Sequence, residues 1–85
     1  MSEVVIASAT RTAVGSLGKS LKNIAAHEMG SAVLTETLRI AKIDKKNVDE
    51  VIMGQVLTGG TGQNPARQAS IKSGIPKEKP AYIVN

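Results

Sequence analysis

Short runs of apolar, mostly β-branched residues recur along the chain and predict strands. The second run is nearly continuous, as in a strand that is buried on both faces of a parallel sheet. The first run ends where Arg11 opens a loop of small and polar residues. The predicted strands comprise residues 4–9, 50–57 and 81–84.

Between these runs the pattern changes and predicts two helices. Residues 26–42 carry apolar side chains at three- and four-residue spacing. Gly30 lies inside this helix at a cost of up to about 1 kcal/mol relative to Ala, so we expect a close approach of the helix to the sheet there. Asn64 is expected to cap a second helix that starts at Pro65 and stops at Gly74. The order βαβαβ predicts an α/β fold, with a mostly parallel sheet, crossover helices and a need for further layers to cover it.

The composition allows only a small hydrophobic core. The 85 residues include one Tyr and no Phe, Trp or Cys. A domain of this size buries only about 60% of its unfolded surface, and here neither aromatic side chains nor disulfides add stability. We therefore expect a piece of a larger fold, which on its own is loosely packed or self-associates through its open sheet edge.

Charge and hydropathy exclude two classes of partner. The net charge is +4, from 11 Lys and Arg against 7 Asp and Glu, with the two signs interleaved and without aromatic side chains to stack on bases. No run approaches the roughly 18 apolar residues of a membrane span, and no signal peptide is apparent. The sequence thus indicates a cytoplasmic protein that binds neither nucleic acid nor membrane, although attraction of a phosphate-bearing small molecule stays open.

Two glycine-containing loops resemble phosphate-binding loops, but neither completes the required pattern. Gly15 and Gly18 lie too close together for the pattern G-x-x-x-x-G-K-[ST]. Residues 59–62 do not complete G-x-G-x-x-G, because Pro65 stands where the last glycine belongs. Because His27 is the single histidine, the sequence excludes a metal site built from several histidines. A catalytic role for His27 is not indicated either, because no Cys or Ser nucleophile occurs with a supporting set of residues. A small nucleotide-binding module is therefore a weak alternative.

Four stretches of the sequence resemble the N-terminal part of the thiolases. They are VVIASATRTAVGSLGKSL from residue 4, AAHEMG from 25, VDEVIMGQVL from 48 and GQNPARQASIKSGIP from 62. The resemblance extends over all 85 residues. GQNPARQA is its most specific part and is typical of the biosynthetic acetoacetyl-CoA thiolases, also called acetyl-CoA acetyltransferases.

The resemblance implies an acyltransferase that joins two acetyl-CoA into acetoacetyl-CoA and CoA, or runs the reverse cleavage. In thiolases a cysteine thiolate takes the acyl group, a histidine activates it and a second cysteine moves the α-proton. Oxyanion holes stabilise the thioester oxygen and the enolate. The resemblance also implies a homo-oligomer, usually a tetramer, with CoA thioesters as substrates and no other bound cofactor.

The chain itself carries none of these catalytic residues. In thiolases the nucleophilic cysteine follows a strand that ends in Asn, a pattern matched by residues 82–85, where the sequence stops. His27 matches a helix-start position and not a catalytic one. We expect residues 1–85 to be a partial N-terminal thiolase domain, inactive alone and without catalytic, cofactor-binding or metal-binding residues. A non-catalytic structural or assembly fragment is the alternative.

Three residues of the second helix are candidates for an interface. In thiolases the GQNPARQA helix lies near the dimer interface, which singles out Asn64, Arg67 and Gln68. The positive charge of Arg67 in the first turn is unfavourable to the helix dipole. We therefore expect Arg67 to bind a carboxylate or carbonyl across the sheet or the subunit boundary.

Overall fold

A short helix packs on one side of a small parallel sheet, and a longer helix packs mainly against the short one, in the computed structural model, which describes residues 3–85. A 3-10 turn, Lys45–Asn47, connects the first helix to the first strand. The helices and strands are α1, Ala26–Ala41; β1, Val51–Gly54; α2, Pro65–Lys72; and β2, Ala81–Val84.

Helix α1 begins and ends with recognisable caps. The Glu28 carboxylate accepts a hydrogen bond from the Ala25 backbone N–H at 3.1 Å, and so holds the first turn. At the other end Lys42 adopts a left-handed conformation with φ 57°. The following N–H, of Ile43, donates to Leu38 O at 3.1 Å, which completes a Schellman-type ending. The predicted start of this helix is confirmed, and its end at Ala41 lies one residue before the predicted one.

The α/β fold class is confirmed by the pairing of β1 with β2. The strands run parallel with Val51 opposite Ala81, and α2 forms the crossover between them. Strand β1 is shorter than predicted and ends at Gly54. The next N–H, of Gln55, still donates to Val84 O at 3.0 Å. Beyond it, residues 56–57 lie exposed because β2 extends no further alongside them.

The first predicted strand, residues 4–9, is not formed in the part of the chain that the structure describes. Val4 is 100% exposed and Ile6 is 89% exposed. A strand requires a neighbour for its backbone N–H and C=O groups, and residues 3–85 supply none here. The observed order is therefore αβαβ and not βαβαβ. Thr10 attaches this segment to α1 through its hydroxyl, which lies 2.5 Å from that of Thr37.

Small side chains form the contact between α1 and α2. Gly30 is buried on α1, and Ala69 and Ser70 are fully buried on α2. A Cβ on Gly30 would lie 2.6 Å from Met53 Cε and 3.2 Å from Ala69 Cβ. The predicted close approach at Gly30 is confirmed, and it brings α1 against α2 as well as against the sheet.

The helices cover one face of the sheet. Val51 is 3% exposed and contributes to the core, whereas Ile52, Tyr82 and Val84 point to the other face and are 51%, 43% and 47% exposed. The expectation that β1 is buried on both faces is wrong for the described residues. The apolar sequence of β1 is suited to a strand that is covered on both faces, but among residues 3–85 the helices lie on only one side of the sheet.

Candidate functional site

Asn64 caps helix α2 as predicted and also contacts β2. Its Oδ1 accepts the Arg67 backbone N–H at 3.1 Å, while its Nδ2 donates to Ala81 O at 3.0 Å. The Asn64 backbone is left-handed, with φ 43°, a conformation that Asn tolerates better than most residues. One side chain therefore holds both the start of α2 and the start of β2.

Arg67 binds the connector that leads from α2 to β2. Its Nη1 donates to Lys79 O at 2.9 Å and its Nη2 to Lys77 O at 2.5 Å. The expected partner thus exists, as two backbone carbonyls of the same chain. A role for Arg67 at a subunit boundary stays a prediction.

Gln68 holds the glycine-rich loop that precedes α2. Its Nε2 donates to Thr61 O and to Gln63 O, both at 2.9 Å. Between these residues Gly62 has φ 78°, and a Cβ there would lie 2.9 Å from Gln68 Nε2. A glycine is favoured here by its positive φ, without any need for a bound phosphate. We call Asn64, Arg67 and Gln68 the α2 bracket.

The sequence singled out the three residues of the α2 bracket and predicted the cap formed by Asn64, but the carbonyls to which their side chains donate could not be predicted. The acceptors are main-chain carbonyls, which every residue carries, so their positions leave no mark in the sequence. Pro76 and Pro80 indicated only that residues 76–80 form a connector. The internal use of Arg67 and Gln68 emerges only from the fold, whereas the cap formed by Asn64 was predicted.

A small cleft of about 110 Å³ lies at the carboxyl end of β1, beside the amino termini of both helices. His27 is half-buried there and is the one titratable side chain lining the cleft. The Gln55 amide is occupied, since its Nε2 donates to Leu57 O at 3.0 Å. No nucleophilic side chain lines the cleft beside His27. The cleft is lined by Ala26, His27, Met53, Gly54, Gln55 and Pro65.

The opposite end of α1 carries a larger, open hollow of about 640 Å³, lined by Leu38, Lys42 and their neighbours. On the α1 surface, Arg39 donates from Nε to the Glu36 carboxylate at 2.6 Å. This hydrogen bond lowers the pKa of Glu36 and raises that of Arg39. Neither residue belongs to the α2 bracket or lines the cleft.

In residues 3–85, no three or more His, Asp or Glu side chains gather in a way that could hold a metal ion. In the same residues, neither helix has the length and apolar character needed to cross a membrane.

Residues 4–85 match the family described as thiolase, N-terminal domain. The acetyl-CoA acetyltransferase of Cupriavidus necator is 55% identical over 85 residues, which are 100% of this chain and 22% of that protein. The acetyl-CoA acetyltransferase of Pseudomonas aeruginosa is 56% identical with the same coverage. That of Clostridioides difficile is 51% identical over 85 residues, 79% of its length.

A solved structure shares the fold. The Acat5 thiolase from Ascaris suum in complex with coenzyme A superposes with a TM-score of 0.91 and is 38% identical. The similarity covers 94% of this chain and 21% of that one. This chain therefore spans about a fifth of the length of the thiolase of known structure and of the first two relatives.

Proposed function

This chain belongs to the thiolase family, and from that premise we propose that it supplies the amino-terminal part of the catalytic domain of an acetyl-CoA acetyltransferase. One observation carries the proposal: 55% identity over all 85 residues to the Cupriavidus necator acetyl-CoA acetyltransferase. The matched region includes the whole α2 bracket and both strands, so the similarity extends beyond one motif.

The proposed reaction is a Claisen condensation of two acetyl-CoA. A cysteine thiolate attacks the thioester carbonyl of the first acetyl-CoA, and CoA leaves as its thiolate. A base then removes an α-proton from the second acetyl-CoA, and the resulting enolate attacks the acyl-enzyme carbonyl. The C–S bond to the enzyme breaks, giving acetoacetyl-CoA and the free cysteine thiolate. CoA-thioester substrates are supported by the coenzyme A in the Ascaris suum thiolase structure.

The role proposed for the chain in this reaction is to hold the scaffold. Its sequence contains no Cys, so the acyl-accepting thiolate comes from residues outside these 85. The parallel strands β1 and β2 end side by side, with Gln55 N–H bonded to Val84 O. In open α/β sheets, ligands bind outside the carboxyl ends of the strands. These two ends form the edge of the proposed active site that the chain provides.

A homo-oligomer in the cytosol is part of the same proposal. The uncovered sheet face, with Ile52 and Tyr82, and the exposed Val56 and Leu57 are apolar surface that the remaining layers of the fold or a second copy of the protein would cover. The polar atoms of the α2 bracket are used inside the chain. We expect Asn64, Arg67 and Gln68 to contribute to an interface through the shape of the segments that they hold. The Mus musculus relative is named a cytosolic acetyl-CoA acetyltransferase.

A chimera tests the proposal directly. Residues 1–85 of this chain replace the matched segment of the Cupriavidus necator enzyme, and acetoacetyl-CoA formation from acetyl-CoA is assayed together with the sedimentation coefficient. We expect an active oligomer, while the 85-residue chain alone neither cleaves acetoacetyl-CoA nor becomes acetylated. The matched controls are the native Cupriavidus necator enzyme and its carboxyl-terminal part without any amino-terminal segment.

The same experiment separates the proposal from an assembly role. A folded, oligomeric chimera without condensation or cleavage activity would contradict the proposed function and favour a chain that serves assembly alone. A stable acetyl adduct on the isolated chain, with turnover, would contradict the expected lack of a nucleophile.

A further inference from the structure

The start of β2 is held by hydrogen bonds from two sides. The carbonyls of Lys77 and Lys79 accept from Arg67, and the next carbonyl, of Pro80, accepts from the Val51 N–H of β1 at 3.0 Å. The carbonyl after that, of Ala81, accepts from Asn64. Helix α2 and strand β1 thus fix the path of the chain as it enters the sheet.

This arrangement determines the register of a very short strand. Strand β2 contributes four residues to its pairing with β1. A shift by one residue would exchange its two faces and bring Tyr82 and Val84 against the helices in place of Ile83. Because only four residue pairs oppose such a shift, the hydrogen bonds outside the strand contribute strongly to fixing the register of β2.

The guanidinium geometry of Arg67 suits this role. The carbonyls of Lys77 and Lys79 are separated by one residue, and each accepts a hydrogen bond from one terminal nitrogen of the planar Arg67 guanidinium. Both acceptors are neutral, and no carboxylate is paired with Arg67 among the described residues. The positive charge at the start of α2 is unfavourable to the helix dipole. The side chain therefore acts here as a rigid pair of donors.

We infer that Arg67 is a positioning residue for the acyltransferase reaction, an inference that rests on the proposed function. By holding the carbonyls of Lys77 and Lys79, Arg67 sets the register of β2. The register of β2 in turn sets where Val84 and the residues after it lie at the edge of the active site. The Arg67 guanidinium is bonded to these main-chain carbonyls and acts through the position of β2.

The test uses the active chimera with Arg67→Met and Arg67→Lys, and with Arg39→Met as a matched control. Arg39 is also a hydrogen-bonded helix arginine, but its partner is Glu36 on the solvent face. A displacement of about 1 Å can cost about 100-fold in rate. We expect Arg67→Met to lower kcat by about that factor with KM unchanged, and Arg67→Lys to restore part of the loss. Arg39→Met is expected to leave kcat unchanged.

Two further measurements separate positioning from a general loss of folding. Thermal unfolding gives the folded fraction at the assay temperature, and amide exchange by mass spectrometry follows peptides from 77–85 and from α1. The inference expects faster exchange in 77–85 with α1 unaffected. It is overturned if kcat of Arg67→Met per folded molecule equals that of the unsubstituted chimera, or if KM carries the whole effect. An inactive unsubstituted chimera would overturn the proposed function, and the role of Arg67 would fall with it.

Discussion

Residues 4–9 and residues 81–84 have similar apolar, β-branched patterns, yet only the second stretch is a strand. The first stretch is the longer of the two and includes Val4, Val5 and Ile6. It nevertheless lies exposed, with the Thr10 hydroxyl at its end bonded to α1. Strand β2 pairs with β1 along its whole length and is preceded by the connector that Arg67 holds.

The comparison shows that the surroundings decide the outcome. Both stretches have the side chains of a strand, but β-propensity reflects fit to a neighbouring strand and a covering layer more than backbone preference. For β2, the short βαβ unit supplies both the neighbouring strand β1 and the covering helix α2. For residues 4–9 the described part of the chain supplies neither. Substitutions in each region test how much residues 4–9 and the region around β2 differ in their contribution to stability.

The largest difference is expected from removing the same side-chain atoms in each region. Ile75 is 2% exposed between α2 and the connector, whereas Ile6 is 89% exposed. Truncation of a buried Ile to Ala typically costs about 2–5 kcal/mol, while a surface change stays within about 0.5 kcal/mol. We expect Ile75→Ala to remove most of the helical circular dichroism of the 85-residue chain and Ile6→Ala to leave that signal unchanged.

Circular dichroism against urea concentration measures both variants under the same conditions. Equal loss of stability from Ile6→Ala and Ile75→Ala would show that residues 4–9 are packed in solution. That result would contradict the proposed difference in packing between residues 4–9 and the βαβ unit.

A smaller effect is expected where the bracket touches β2. Asn64→Ala removes the cap of α2 and the donor to Ala81 O, and loss of a cap typically costs about 1 kcal/mol. Asn64→Asp keeps an acceptor for the Arg67 N–H and tolerates a left-handed backbone, but it loses the donor. We therefore expect stability to fall in the order Asn, Asp, Ala.

Denaturant unfolding of the three proteins checks this order. A midpoint for Asn64→Ala equal to that of the unsubstituted chain would refute the cap. If Asp is as destabilising as Ala, the contact with Ala81 contributes more than the cap does.

The sequence was most informative where structure depends on neighbours along the chain. Asn64 followed by Pro65 predicted the start of α2, and the spacing of apolar residues predicted α1 almost to its ends. Gly30 indicated a close approach because glycine is unfavourable in a helix unless something requires it. Each of these features is encoded within a few residues.

Features that depend on distant segments were predicted poorly. The pattern of residues 4–9 could not show that no partner strand lies among the described residues. The run that became β1 gave no sign that Ile52 would be exposed. For the site, the unfavourable position of Arg67 in the helix dipole correctly indicated a partner, but the carbonyls of Lys77 and Lys79 could be identified only once the connector was placed.

The smallest expected effect concerns charge between the two regions. Glu36 lines a hollow with Thr10 and Arg11, so an ion pair with Arg11 would hold the amino-terminal segment on α1. Its carboxylate instead pairs with Arg39 of the same helix, and that hydrogen bond lowers the pKa of Glu36. A lowered folded-state pKa gives stability that is present above the usual carboxyl pKa and is lost as pH falls through the lowered value.

We therefore expect Arg39→Gln to raise the pKa of the Glu36 carboxyl toward its usual value, and Arg11→Gln to leave it unchanged. Both side chains of the pair are largely solvent-exposed, at 69% and 44%, so the effect on stability is small and weakens as salt is added. An NMR pH titration of the Glu36 side chain measures the pKa in each variant. A rise caused by Arg11→Gln would mean that an ion pair holds the amino-terminal segment on α1. Residues 4–9 would then be held by more than the Thr10 hydroxyl, and the difference from β2 would lie in the missing strand partner alone.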